Sequence, residues 1–189
     1  MPDRFKKDFT FLVVACAMSI IPLVFLVAQP SDSPILNLSH IILDGKDGSY
    51  ADGRRWDSSI LQGKITLLVY FDPDERDKGE IFMPTLEAFE RDLDFSKFQT
   101  MLIVDLESTF IPGFLIKAAI RGQIKDHPKR NYIFDDKSVL VQNWGLVENE
   151  YSTLIINEKS KVIFYHTGKW EEGEILILDS LIRSLVGVD

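Results

Sequence analysis

Apolar positions along the chain follow three rhythms, and each predicts a different element. From Phe9 to Ala28 no charged residue interrupts the run, and Arg4, Lys6 and Lys7 precede it. About 20 residues at ~1.5 Å rise span ~30 Å, the thickness of a bilayer core. The second rhythm is a short, unbroken run of apolar and β-branched residues. Ile65–Phe71 (ITLLVYF) and Thr100–Leu106 (TMLIVDL) have this form, which suits strands buried on both faces. Tyr132–Phe134 predicts a shorter strand. Thr153–Asn157 and Lys161–His166 predict a hairpin across Glu158-Lys159-Ser160. The third rhythm recurs every three or four positions and is helical. It runs through Ile81, Phe82, Leu86, Phe89 and Leu93 in a helix over Glu75–Leu93, which Pro84 either starts in earnest or kinks. Phe114, Ile116, Ala119, Ile120 and Ile124 predict a helix over Phe114–Lys125. Leu176, Leu178, Leu181, Ile182 and Leu185 predict one over Glu171–Val186, with acid at its start.

The remaining elements are short. Ser39–Leu43 offers an edge strand and Asp44–Gly48 a turn. Ser58–Lys64 reads as one helical turn ended by Gly63, and Val139–Trp144 as a short helix ended by Gly145. Early strands alternate with helices, and an antiparallel hairpin plus a helix closes the chain. The fold class is therefore α/β, a mixed sheet flanked by helices, preceded by one N-terminal transmembrane helix. The implied domains are a cytoplasmic n-region (1–8), a transmembrane signal anchor (9–28), a linker (29–34, QPSDSP) and a globular domain (35–189). The basic cluster places the N-terminus in the cytoplasm and the globular domain on the far side. Cleavage after Ala28 would leave Leu26 where a small residue is preferred, and cleavage after Ala17 would leave a short apolar region. An uncleaved anchor fits better than a secreted product.

Charge and cysteine content narrow the function. After residue 30, 18 Lys and Arg face 27 Asp and Glu, a formal charge of −9. That disfavours nucleic acid and anionic lipid as partners. The sole cysteine, Cys16, lies in the apolar span. The globular domain thus has no disulfide, no thiolate nucleophile and no thiolate metal ligand.

Two stretches carry a resemblance. Leu43 to Phe71 (LDGKDGSYADGRRWDSSILQGKITLLVYF) has a glycine turn, a Leu-x-Gly-Lys segment and an apolar strand; Trp144-Gly145-Leu146 leads to a hairpin closed by Gly168. Both resemble the thioredoxin-like superfamily. Ile103-Val104-Asp105, Ile111-Pro112-Gly113, Phe134-Asp135, Trp144 and Ser152 resemble the pattern of the YtfJ family, small exported bacterial proteins of unassigned role. The resemblance implies a domain facing the periplasm from the bacterial inner membrane. Where redox thioredoxins place Cys-x-x-Cys, this chain has Asp72-Pro73-Asp74-Glu75, and Ser152 stands at the cis-proline position. Thiol–disulfide exchange and cysteine peroxidase chemistry need the missing sulfur.

Asp72, Asp74, Glu75 and Asp77 crowd carboxylates at the end of the central strand. They suit helix capping first and acid/base chemistry second; calcium loops need a glycine turn where Pro73 stands. His40, His127 and His166 show no metal-ligand spacing, so neither a metal nor another cofactor is implied. Trp56, Trp144 and Trp170 suit the core better than a platform. Lys125–Arg130 (KDHPKR) reads as a solvated basic loop. Fold analogy groups Asp72, Asp74 and Glu75 with Ile111, Pro112 and Phe114 and with Tyr151 and Ser152 as one binding surface. The favoured function is binding of an envelope protein or peptide. The alternative is a carboxylate-dependent, hydrolase-type enzyme using the Asp72–Asp77 corner.

Overall fold

The structure, a computed structural model, describes residues 36–188. The n-region, the predicted anchor over 9–28 and the linker lie outside the described residues. Among the described residues no helix is long and apolar enough to cross a membrane.

A six-stranded mixed sheet organises the domain. In chain order the elements are β1 (Ile42–Leu43), β2 (Gly48–Tyr50), β3 (Trp56–Asp57), β4 (Ile65–Phe71), α1 (Met83–Asp92), β5 (Phe98–Asp105), α2 (Gly113–Asp126), β6 (Arg130–Asp135), α3 (Val139–Trp144), β7 (Tyr151–Ile156), β8 (Val162–Thr167) and α4 (Glu172–Val186). The sheet order is β2-β6-β5-β4-β7-β8, and β1 pairs only with β3 in a separate two-stranded ribbon. Strands β4, β5 and β6 run parallel. Strands β2 and β7 join them antiparallel, and β8 completes the hairpin.

Burial follows the period of two along each central strand. Leu67 and Val69 of β4 face one core with Leu102, Val104 and Phe134, covered by residues of α1, α2 and α4. Leu68 and Tyr70 face the other with Met101, Ile103 and Ile133, covered by Trp56, Leu140 and Trp144. A sheet covered on both faces explains why its central strands read as continuous apolar runs rather than alternating ones.

The structure departs from the sequence expectations at several elements. The predicted edge strand over Ser39–Leu43 contracts to two residues and leaves the main sheet. Its edge place is taken by β2, which begins at the last residue of the predicted turn. Gly48 makes this possible: at φ +144 its Cα lies so close to the Phe134 carbonyl that a Cβ would sit 2.2 Å from the oxygen. The helix predicted over Glu75–Leu93 is two pieces, a tight 3-10 stretch over Pro73–Phe82 and then α1. Pro84 in the first turn of α1 marks the junction, where its missing N–H costs nothing. Ile81, Phe114 and Leu176, expected on buried faces, are exposed, as is Ala119. All three tryptophans are core. Trp170 stacks between Phe82, Phe164 and His166, and Trp56 meets Trp144 edge-on.

Candidate functional site

Three parallel strands end on three aspartates at one edge of the sheet. Asp72 follows β4, and Asp105 and Asp135 end β5 and β6, paired in register. Each carboxylate closes the turn that follows it. Asp72 Oδ1 accepts from the Asp74 N–H at 2.8 Å. Asp105 Oδ1 accepts from the Glu107 N–H at 3.1 Å and from Ser138 Oγ at 2.8 Å. Asp135 accepts from the Val139 and Leu140 N–H groups at 2.8 and 2.9 Å and from the Tyr70 hydroxyl at 3.2 Å. Asp135 thereby caps α3, while Ser138, the residue before it, turns its hydroxyl to Asp105. Burial pushes the Asp135 and Asp72 carboxyls up, against the pull of those N–H donors. Burial, with Asp135 and Asp105 beside it, pushes the Tyr70 hydroxyl far up.

The three loops at this edge are tied together. Asp74 is exposed, and its Oδ2 accepts from Thr109 Oγ1 and from the Phe110 N–H, both at 3.2 Å. Lys78 bridges Glu75 and Glu150, each at 2.7 Å. The loop after β4 therefore holds both the loop before α2 and the approach to β7. On the first of these, Phe110 is 98% exposed and Phe114 72% exposed, with Ile111, Pro112 and Leu115 beside them. An apolar rim of this kind is unusual on a solvated surface.

The predicted site residues separate into three groups. Asp74, Ile111, Pro112 and Phe114 form the rim, while Glu75 is tied through Lys78 to Glu150 on the approach to β7. Asp72 is 3% exposed, buried beneath the turn it caps. Ser152 is fully buried and shares a hydrogen bond with the Tyr165 hydroxyl at 3.2 Å, so its side chain lies inside the fold. No cis peptide bond occurs among the described residues. Tyr151 is buried, yet with Ile111 it lines a cavity of about 520 Å³ between the 3-10 stretch, α1 and α2, over Leu102, Val104 and Tyr132. Among the described residues no group of His, Cys, Asp or Glu is arranged to hold a metal ion.

Sequence reasoning missed several residues of this region. Asp105 and Asp135 had a signal: each is an acid at the end of a predicted strand. Arg130 had none, and it alone departs from the reading of Lys125–Arg130 as a solvated stretch, whose other residues are exposed or half-buried. Its side chain is fully buried, paired through Nε to Glu90 of α1. Tyr132 and Gly79, both at the cavity, also carried no mark in the sequence.

Residues 33–185 match the family described as "Bacterial protein of unknown function (YtfJ_HI0045)". The chain belongs to the YtfJ family. A relative described as an uncharacterized protein of Haemophilus influenzae is 23% identical over 148 residues, covering 77% of this chain and 78% of the relative. Several solved structures share the fold. A putative protein disulfide isomerase from Bacteroides thetaiotaomicron matches at TM-score 0.59 and 16% identity, over 79% of this chain and 87% of its own. The exposed lipoprotein thioredoxin of Streptococcus pneumoniae matches at TM-score 0.57 and 16% identity, over 76% and 99%. A thiol-disulfide isomerase of Corynebacterium glutamicum matches at 0.56 and 15%, over 84% and 99%. The YtfJ chain is thus thioredoxin-like in fold, with aspartates where its sheet edge meets the following turns.

Proposed function

We propose that this YtfJ chain is a membrane-tethered, extracytoplasmic thioredoxin-like domain that acts by binding a protein or peptide and carries no thiol chemistry. The observation that carries the reading is the apolar rim of Phe110, Ile111, Phe114 and Leu115, exposed to water yet clasped by Asp74. Side chains this apolar gain by being covered, and the clasp reduces the ordering cost of covering them. The absence of cysteine after Cys16 supports the non-redox part, and the apolar run over 9–28 supports the tether at the bacterial inner membrane.

The alternative, hydrolase-type chemistry at the Asp72–Asp77 corner, draws on the raised carboxyl of Asp72. Its cause is burial beneath a capped turn, and Asp72 does not line the cavity, so binding is the stronger reading. Crosslinking of the full chain in envelope membranes tests it. The wild type is expected to capture a discrete partner that Asp74→Ala and Phe114→Ser lose. Retention of every partner by both variants, or reduction of insulin by the purified protein, would overturn the proposal.

A further inference from the structure

The cavity between the 3-10 stretch and α2 has an apolar floor and two unlike banks. Leu102, Val104 and Tyr132 of the sheet form the floor. Along the α2 bank run Ile116, Ala119, Ile120 and Gln123, which carry no charge. The opposite bank holds Arg76, Glu80 and Met83, and its two charges do not cancel. The Arg76 guanidinium lies 3.5 Å from Asp77. Glu80 is exposed and, among the described residues, has no ion pair. Glu87, one turn beyond Met83 on the same face of α1, is likewise exposed and without an ion pair among them. The Gln123 side-chain amide makes no hydrogen bond to the described residues. An apolar floor with acid along one lip repels a fatty anion and favours a ligand whose cationic group adjoins its apolar part. The formal charge of −9 after residue 30 adds a field of the same sign.

We infer that the partner of the rim docks through a peptide segment that seats one large apolar side chain in this cavity and sets a lysine or arginine beside it against Glu80 and Glu87. The inference rests on the rim reading above and adds the chemistry of the partner. Ile111 and Leu115 belong to the rim and also line the cavity, so one extended segment can cover both. The volume of about 520 Å³ is ample for an aromatic or branched side chain. The Gln123 amide, a donor and an acceptor, suits the backbone groups of that segment.

The test pans random heptapeptides displayed on phage against the full chain in phosphatidylcholine nanodiscs, after depletion on empty nanodiscs. The wild type is expected to enrich sequences that pair Leu, Phe or Trp with a neighbouring Lys or Arg, about tenfold over those that pair the same residues with Asp or Glu. The double variant Glu80→Lys and Glu87→Lys, changed only at exposed positions, is expected to reverse that preference. Ala119→Trp, which fills the cavity from its exposed side, is expected to abolish enrichment. Wild-type enrichment of acidic or uncharged sequences, or no enrichment, would overturn the inference. An unchanged preference in the charge-reversed variant, or enrichment that persists in Ala119→Trp, would overturn it too. Phe114 belongs to the rim but not to the cavity lining. If Phe114→Ser loses its crosslinked partner while panning shows no basic preference, this inference fails and the rim reading stands. If Phe114→Ser and Asp74→Ala both keep every partner, the rim reading itself fails.

Discussion

Gly79 tests whether the cavity wall is built as described. It lies in the 3-10 stretch, buried, with its Cα against the phenol of Tyr151. A Cβ there would lie 2.2 Å from Tyr151 Cζ, 2.3 Å from Cε2 and 2.4 Å from the hydroxyl oxygen. Carbon atoms rest at about 3.5–4.0 Å, so Gly79→Ala must displace the ring by more than about 1 Å. The ring also packs against Phe71, with centroids 5.7 Å apart. The cavity that Gly79 and Tyr151 both line gives it room to move. Overpacking of this sort costs about 1–3 kcal/mol, and that room places the expected cost in the lower half of that range. Tyr151→Ala removes the obstacle and itself costs about 3–5 kcal/mol as a large-to-small core change. In that background Gly79→Ala has nothing to strike. A double-mutant cycle by urea unfolding, read by the fluorescence of the buried tryptophans, should therefore show coupling of about 1 kcal/mol or more. An equal cost of Gly79→Ala in both backgrounds, or a single variant within about 0.5 kcal/mol of wild type, would refute the contact.

Two further predictions concern the sheet edge. Burial raises the Asp72 carboxyl above its ordinary value of 3.8, so the folded state holds the proton more tightly than the unfolded chain. Stability from this group is complete below the unfolded value and is lost as pH rises through the window between the two values. Asp72→Asn keeps an oxygen for the Asp74 N–H and removes the charge. It should be more stable than wild type at pH 7, with the gain vanishing below about pH 4; urea midpoints at pH 3.5, 5 and 7 check this, and a pH-independent difference would refute it. Gly48→Ala should cost about 1–3 kcal/mol in the same assay, because its positive φ and the Phe134 carbonyl leave no room for a methyl group. A neutral effect would mean that β2 does not pair with β6 as described.

The central strands were legible because burial on both faces leaves a continuous apolar run, and Ile65–Phe71 forms β4 to the residue. The short helix over Val139–Trp144 was equally plain, since Gly145 ends it in the left-handed region. Helical faces were harder to read. Phe114 and Leu176 fit the three-to-four spacing, yet tertiary packing turned Ile116 and Ile175 inward and left those two in water. The site was legible only in part, for the same reason. Asp74 and the Ile111-Pro112 turn were grouped by their positions after parallel strands, and Asp74 does contact that loop at Thr109 and Phe110. The orientation of Ser152 into the fold depends on β-pairing register, which a lone serine does not announce. Arg130 sits in a run of charged residues whose composition says solvent, but its place as the first residue of β6 says core. Strand position outweighed composition there, because the Glu90 carboxylate compensates the charge.

The row of aspartates bears on where this scaffold can bind anything. An edge formed by parallel strands and following helices usually offers free N–H groups and a positive field to a ligand. Here Asp72, Asp105 and Asp135 already occupy those donors, and each adds negative charge of its own if ionised. A second anion at that corner would meet repulsion and few free donors. Arg130 stands at the opposite end of the same strand from Asp135, its side chain buried and paired through Nε to Glu90 of α1. The two ends of β6 thus divide the work. Its acidic end caps α3 through Asp135, and its basic end buries Arg130 against Glu90 of α1.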